Sequence, residues 1–278
     1  MKRLALLGFV FVAFTYLNAE EWSCYDMRRS INEPLCINIK KLEDPRFLTS
    51  TLNKISRAIK RDPRNKLLHS LRFQFGLFLW DVLPPEKKGD FARIAIKWAD
   101  EEIKYLPDIG DGWAAKGMFL GAYGLSKGPL NVLYFADDEE RYLLKAYRLG
   151  DRWIRSFAAG LLGLFYFKLP PFPMSIGDIE KARKYLIEAI EMEPGNIYFK
   201  IFYAEVLSYT GQIDKAMEII RSLPDLQPRR WYEKVIYIWT MRTYPTIVEM
   251  IKSGIRGKYD KYKYDFLLDP GRHPAHGK

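Results

Sequence analysis

The 278-residue sequence predicts an all-α fold, a solenoid of stacked helical hairpins behind a disulfide-pinned N-terminal cap. Three observations predict it. Ala182, Leu186 and Ala189 recur on one face of a helix, the pattern of a side packed closely on a neighbour. Pro194, Gly195 and Asn196 then break that helix. Ala216 stands 34 residues after Ala182, so the pattern returns with the period of a repeated helical pair.

The chain opens with Met1, Lys2 and Arg3, an apolar centre from Leu4 to Leu17, and the small residue Ala19. Residues 1–19 therefore read as a secretory signal, too short in its apolar part to span a bilayer comfortably. An uncleaved anchor is the alternative. Residues 20–46 carry both cysteines and are interrupted by Pro34 and Pro45, which reads as an N-terminal cap. In an oxidising compartment Cys24 and Cys36 are expected to pair, closing a short loop that stabilises the fold by ~3 kcal/mol in a chain-entropy model. Two buried free thiols are the other reading. No lipoprotein signal precedes Cys24, whose upstream neighbours are Glu21, Trp22 and Ser23.

The repeat domain is expected over residues 47–254. Leu52, Ile55, Ala58 and Ile59 mark one helical face, Asp62 to Asn65 make a turn, and Leu67 to Leu79 resume an apolar helix. Ala58 precedes Pro63 by five residues, as Ala189 precedes Pro194. In a second unit Ala92, Ile96 and Ala99 have the spacing of Ala182, Leu186 and Ala189, and Trp113, Gly117 and Leu120 follow on the next helix. A small residue between two large ones lets paired helices approach closely. The third unit is expected to open at the acidic run Asp137 to Glu140, favourable at a helix N-terminus, and to continue in a nearly uncharged helix over Arg152 to Phe167. Gly160 and Gly163 in that helix, like Gly117, Gly121 and Gly124, cost helix propensity of ~1 kcal/mol each, which close backbone packing explains. A ligand channel bordered by them is the sharper alternative. Helices over 178–192, 197–209 and 212–221 follow, and a last pair near 229–242 and 244–253 should cap the stack. The basic tail over 255–278 is expected to be partly disordered.

The period and the alanine-spaced helices identify the chain with tetratricopeptide repeats. The stretch GLLGLFYFK followed by LPPFPMSIGDIEKARKYLIEAIEMEPGN lengthens the turn between helices. Over residues 86–222 this combination resembles the periplasmic T component of tripartite ATP-independent periplasmic (TRAP) transporters, with Leu169, Pro170, Pro171, Phe172, Pro173, Gly177 and Asp178 at the family's loop and flanking helix. The resemblance implies an exported helical protein that associates with the transporter's solute-binding protein and encloses an apolar ligand channel.

Chemistry for catalysis is sparse. No nucleophile elbow, phosphate loop, dinucleotide fingerprint or zinc-protease helix occurs, and no cofactor is expected. His273 and His276 lack the supporting ligands of a metal site, and His69 sits among Leu67, Leu68 and Leu71 as a structural residue. The net charge of +10 is spread over the helices, which fits a solvated surface, an acidic partner or anionic lipid. Nucleic acid is not an expected partner of an exported chain without a recognition module. Binding residues are sought among the aromatic side chains of the inner helices: Trp113, Phe119, Tyr123, Tyr166, Tyr198 and Tyr209, with Arg152 and Arg155 to hold a carboxylate. The sequence thus predicts a non-catalytic periplasmic protein that binds a protein partner. A carrier of an apolar small molecule or lipid and an envelope assembly scaffold are the alternatives, and a homo-oligomer is compatible with each.

Overall fold

The computed structural model describes residues 22–25, 35–228 and 231–253. The expected signal segment and basic tail lie outside the described residues, as does part of the cap. Strands β1 (Trp22–Tyr25) and β2 (Leu35–Asn38) pair antiparallel, with the backbones of Cys24 and Cys36 directly opposite each other. A 3₁₀ turn, Ile39–Glu43, leads into a series of helices. These are α1 (Pro45–Arg61), α2 (Lys66–Val82), α3 (Pro85–Tyr105), α4 (Gly110–Ser126), α5 (Pro129–Leu149) and α6 (Arg152–Lys168). They continue as α7 (Ile179–Met192), α8 (Ile197–Tyr209), α9 (Ile213–Arg221), α10 (Trp231–Arg242) and α11 (Tyr244–Lys252).

Two starts differ from the sequence expectation, both because of proline. Pro45 is the first residue of α1, where a helix needs no N–H, and the Asp44 carboxylate accepts from Arg46 N. The third unit begins at Pro129, not at Asp137. Gly128, with φ of 111°, turns the chain, and Pro129 starts α5 directly. The acidic run therefore lies inside a helix rather than at its positive end.

The repeat is visible in its turns. After α1 the N–H of Asp62 donates to Ala58 O at 3.0 Å and that of Asn65 to Asp62 O at 3.2 Å; the Asn65 side chain then accepts from Leu68 N, starting α2. After α7 the same bonds run from Glu193 to Ala189 O (2.9 Å) and from Asn196 to Glu193 O (3.0 Å), with Asn196 starting α8. Between α3 and α4 they run from Leu106 to Glu102 O and from Ile109 to Leu106 O. At the α5–α6 connection Gly150 donates to Ala146 O, and Asp151 caps α6. Four buried residues thus share one place in the turn: Ala58, Glu102, Ala146 and Ala189.

The glycines show how helices pair. A Cβ on Gly117 would lie 2.8 Å from Leu143, and one on Gly124 would lie 3.2 Å from Val132, so α4 backs closely onto α5. A Cβ on Gly163 would lie 2.5 Å from Leu186, so α6 backs equally closely onto α7. Helices therefore approach closely at the joins between the hairpins read from the sequence, α4 with α5 and α6 with α7, and within a hairpin as well: a Cβ on Gly112 of α4 would lie 3.0 Å from Ile103 of α3. Between α6 and α7 the proline loop is held by Gly177 N donating to Pro170 O at 2.9 Å and Asp178 N donating to Tyr166 O. Its Phe172–Pro173 peptide is cis.

Candidate partner-binding site

Even-numbered helices meet one another on the inner side of the stack, and their filling is aromatic. Phe73 of α2 lies edge-on to Phe119 of α4 at 6.3 Å and to Phe157 of α6 at 5.3 Å. Gly160 of α6 receives the ring of Phe199 from α8. α10 reaches the same side. Its Trp239 is edge-on to Phe78 of α2 at 5.5 Å, and its Tyr232 lies 5.7 Å from Trp153 of α6. The glycines named in the sequence as borders of a ligand channel abut side chains of neighbouring helices instead. The expectation that the last helix pair closes the end of the stack changes accordingly: α10 joins the last repeat to the first.

The sequence-selected residues fall into two groups. Phe119, Tyr166 and the ring of Tyr198 serve packing. Phe119 is buried among Phe73, Trp80 and Phe91. Tyr166 is buried, stacks on Tyr185 and donates its hydroxyl to Glu140. Tyr198 stacks on Phe202. Tyr209, half-buried, meets Phe167 edge-on at 5.5 Å. Arg152 is exposed, yet its Nε and Nη2 both donate to Met192 O, at 2.9 and 2.8 Å, so it caps the end of α7 rather than awaiting a carboxylate. Arg155 is exposed on the same helix.

Trp113 and Tyr123 stand nearer the surface. Trp113 donates Nε1–H to Pro107 O, and its ring stacks on Tyr142 of α5 at 5.9 Å. The Lys145 ammonium lies 3.7 Å from the Trp113 ring centre, and the Lys116 ammonium and Arg141 guanidinium lie 4.6 and 5.1 Å from that of Tyr142. Tyr123, half-buried, tilts on Phe135, with Lys127 over its ring. The arrangement on α4 and α5 is a ladder of aromatic rings and cations, the residue types that dominate protein contacts. Sequence reasoning found Trp113 but not Tyr142 or Lys145, which lie 29 and 32 residues on; only the α4–α5 pairing brings them together. A separate open groove of about 240 Å³ between α7, α8 and α9 is lined by Ile187, Ile190, Lys200, Tyr203 and Ile219.

A buried polar cluster lies under α2, α3 and α4. Arg72 Nη1 donates to Glu101 at 2.6 Å, and its Nη2 donates to Trp98 O and to His69 Nδ1. His69 Nε2 is 2.9 Å from Pro63 O, which can only accept, so Nε2 carries the proton and the imidazole is neutral. Loss of hydration lowers the His69 pKa in agreement. The Glu102 carboxyl, 3.7 Å from His69 Nδ1, is pushed up to about 8 by burial and then by the nearby Asp111 carboxylate. Asp111 is itself raised by burial. The cavity beside them has room for about 10 Å³, enough for one water molecule. These groups hold three helices together.

Residues 175–233 run from the end of the proline loop through α7, α8 and α9 to the start of α10. They match the family model described as Tetratricopeptide repeat. That stretch is of tetratricopeptide type. No curated protein matches the chain. The turns after α1 and α3 repeat the backbone hydrogen bonds of the turn after α7 inside the matched segment. Such repeats commonly present surfaces to protein partners, and folds of this type are typically non-enzymatic. Among the described residues no helix is long and apolar enough to cross a membrane, and no group of three potential metal ligands occurs.

Proposed function

We propose that this is an exported, non-catalytic tetratricopeptide-type protein that binds a protein partner, as an accessory of a TRAP-type solute transporter whose solute-binding protein is that partner. The ring-and-cation ladder of Trp113, Tyr142 and Lys145 carries the reading. It places half-buried Trp113 and Tyr142 rings and the Lys145 ammonium together on one helical pair, with Trp113 anchored on the core behind it. Lys116 and Arg141 are paired with Asp100 and Asp138, so it is Lys145, together with the net charge of +10, that suits an acidic face. The secretory reading of residues 1–19 and the opposition of Cys24 and Cys36 support export and a disulfide-closed cap.

Isothermal titration of the purified solute-binding protein against this chain tests the proposal. Binding that weakens at least tenfold in Trp113→Ala/Lys145→Glu supports it. Absence of binding by the wild type, or equal binding by the variant, rejects the partner or the surface respectively.

A further inference from the structure

α10 is held on the inner side by a set of contacts with the regularity of a bound helix. Tyr232, Val235 and Trp239 follow one another at i, i+3 and i+7, which places them along one face. Tyr232 meets Trp153 of α6, Val235 is fully buried in the core that α2 shares, and Trp239 meets Phe78 of α2. Beside the first aromatic, the Glu233 carboxylate lies against Gly195 in the turn that starts α8, where a Cβ would come within 3.1 Å of Oε2. That is the positive end of a helix, where an acid is favoured. Beyond the second aromatic, Arg242 Nη1 donates to Glu43 Oε1 at 2.5 Å across 199 residues of chain. The floor and both ends of this groove thus come from α2, α6, the α8 start and the N-terminal 3₁₀ turn, none of them a sequence neighbour of α10.

We infer that these elements form a helix-binding groove, that α10 is its built-in occupant, and that a partner's amphipathic helix bearing the same pattern displaces it. The pattern is an aromatic followed by an acid, an aliphatic residue three positions after the aromatic, a second aromatic at seven and a base at ten. Two features suit α10 to exchange. Its opposite face, with Tyr237 and Met241, packs on the α8, α9 and α11 cluster, so release from the groove leaves it an apolar partner within its own half. The contacts it gives up are side-chain contacts that another helix can reproduce atom for atom. The clasp deepens the partner-binding reading and rests on it only for the source of the displacing helix.

The test uses the full-length chain and a fluorescein-labelled peptide with the sequence of residues 231–242, read by fluorescence polarisation. Tyr232→Ala/Trp239→Ala empties the groove of its aromatic anchors, and Arg242→Ala is a milder second variant that cuts only the exposed end contact. Both are checked by circular dichroism for native helix content. The expected result is peptide binding at least tenfold tighter to the folded variants than to the wild type, and none for a peptide whose own Tyr and Trp are alanine. Equal binding to wild type and variants would overturn the clasp, as would no binding to the folded Arg242→Ala chain. A dimer that exchanges α10 between copies would also overturn it, assigning the groove to a second copy. Because no solute-binding protein is present, these results stand apart from the titration with Trp113→Ala/Lys145→Glu.

Discussion

Glu102 occupies in its turn the place that Ala189 holds in the matched repeat: each gives its carbonyl to the N–H four residues on, at 2.7 and 2.9 Å, and each is buried. A carboxyl at a position that otherwise takes alanine must be accommodated. Gly112 makes room, since a Cβ there would lie 3.2 Å from Glu102 Cγ, and His69 and Arg72 line its other side.

The Glu102 carboxyl therefore ties stability to pH. Its folded pKa is raised from 4.5 to about 8, so the folded state binds the proton more tightly than the unfolded chain. The contribution is fully present below pH 4.5 and is lost as pH rises through about 8. At about 1.4 kcal/mol per pKa unit the loss is on the order of several kcal/mol. Asp111 and Glu139, also raised by burial, slope the same way. The thermal unfolding midpoint of the wild type should fall between about pH 4.5 and 8, and Glu102→Gln should flatten that fall. An equal fall in the variant would remove Glu102 as its cause.

Close helix approach at Gly163 makes a sharper demand on packing. A Cβ there would lie 2.5 Å from Leu186 Cγ and 3.0 Å from Ala182 O, and the second neighbour is backbone that cannot turn aside. Gly163→Leu should separate α6 from α7 and destabilise the chain by about 3 kcal/mol or more. Denaturant unfolding measures this. A midpoint equal to that of the wild type would contradict the close packing of the two helices.

Trp113 and Phe119 lie on the same helix and predict opposite outcomes. Phe119→Ala removes a buried ring from a cluster of three others and should cost about 3–5 kcal/mol. Trp113→Ala loses a stack and a cation contact at a half-exposed site, worth about 1–2 kcal/mol. Partner affinity should fall in Trp113→Ala beyond what this stability loss explains. Parallel melting and titration curves separate the two effects.

Much of this architecture is legible in local sequence, because a turn such as Asp62 to Asn65 or Glu193 to Asn196 is built from neighbours in the chain. The register of the second unit is not. Ala92, Ile96 and Ala99 match the spacing of Ala182, Leu186 and Ala189, yet the turn bonds align Ala95 with Ala182, Ala99 with Leu186 and Glu102 with Ala189. Several small residues on α3 allow more than one alignment, and only the turn fixes it. Counting back from each turn instead of forward from each alanine would have exposed the buried Glu102. For the candidate site, Trp113 is legible as a large residue before a glycine, whereas its partners on α5 follow from helix pairing. The fate of Arg152 was out of reach for the same reason: its acceptor, Met192 O, lies 40 residues away.

Lys168 and Glu205 join the end of α6 to α8 with Nζ 2.6 Å from Oε2, and the carboxylate is almost wholly buried. Breaking such a pair from one side leaves a charge without water or counter-charge, whereas removing both charges spares their desolvation. Lys168→Met should therefore destabilise the chain by about 3–5 kcal/mol. Lys168→Met/Glu205→Leu, which replaces both by apolar side chains, should recover most of that loss. The comparison is a double-mutant cycle in urea, with Glu205→Leu as the fourth corner. If the double variant is no more stable than Lys168→Met, the cost lies in lost packing of the lysine stem against the Phe167 ring, over which its ammonium sits at 4.9 Å, and not in an orphaned carboxylate.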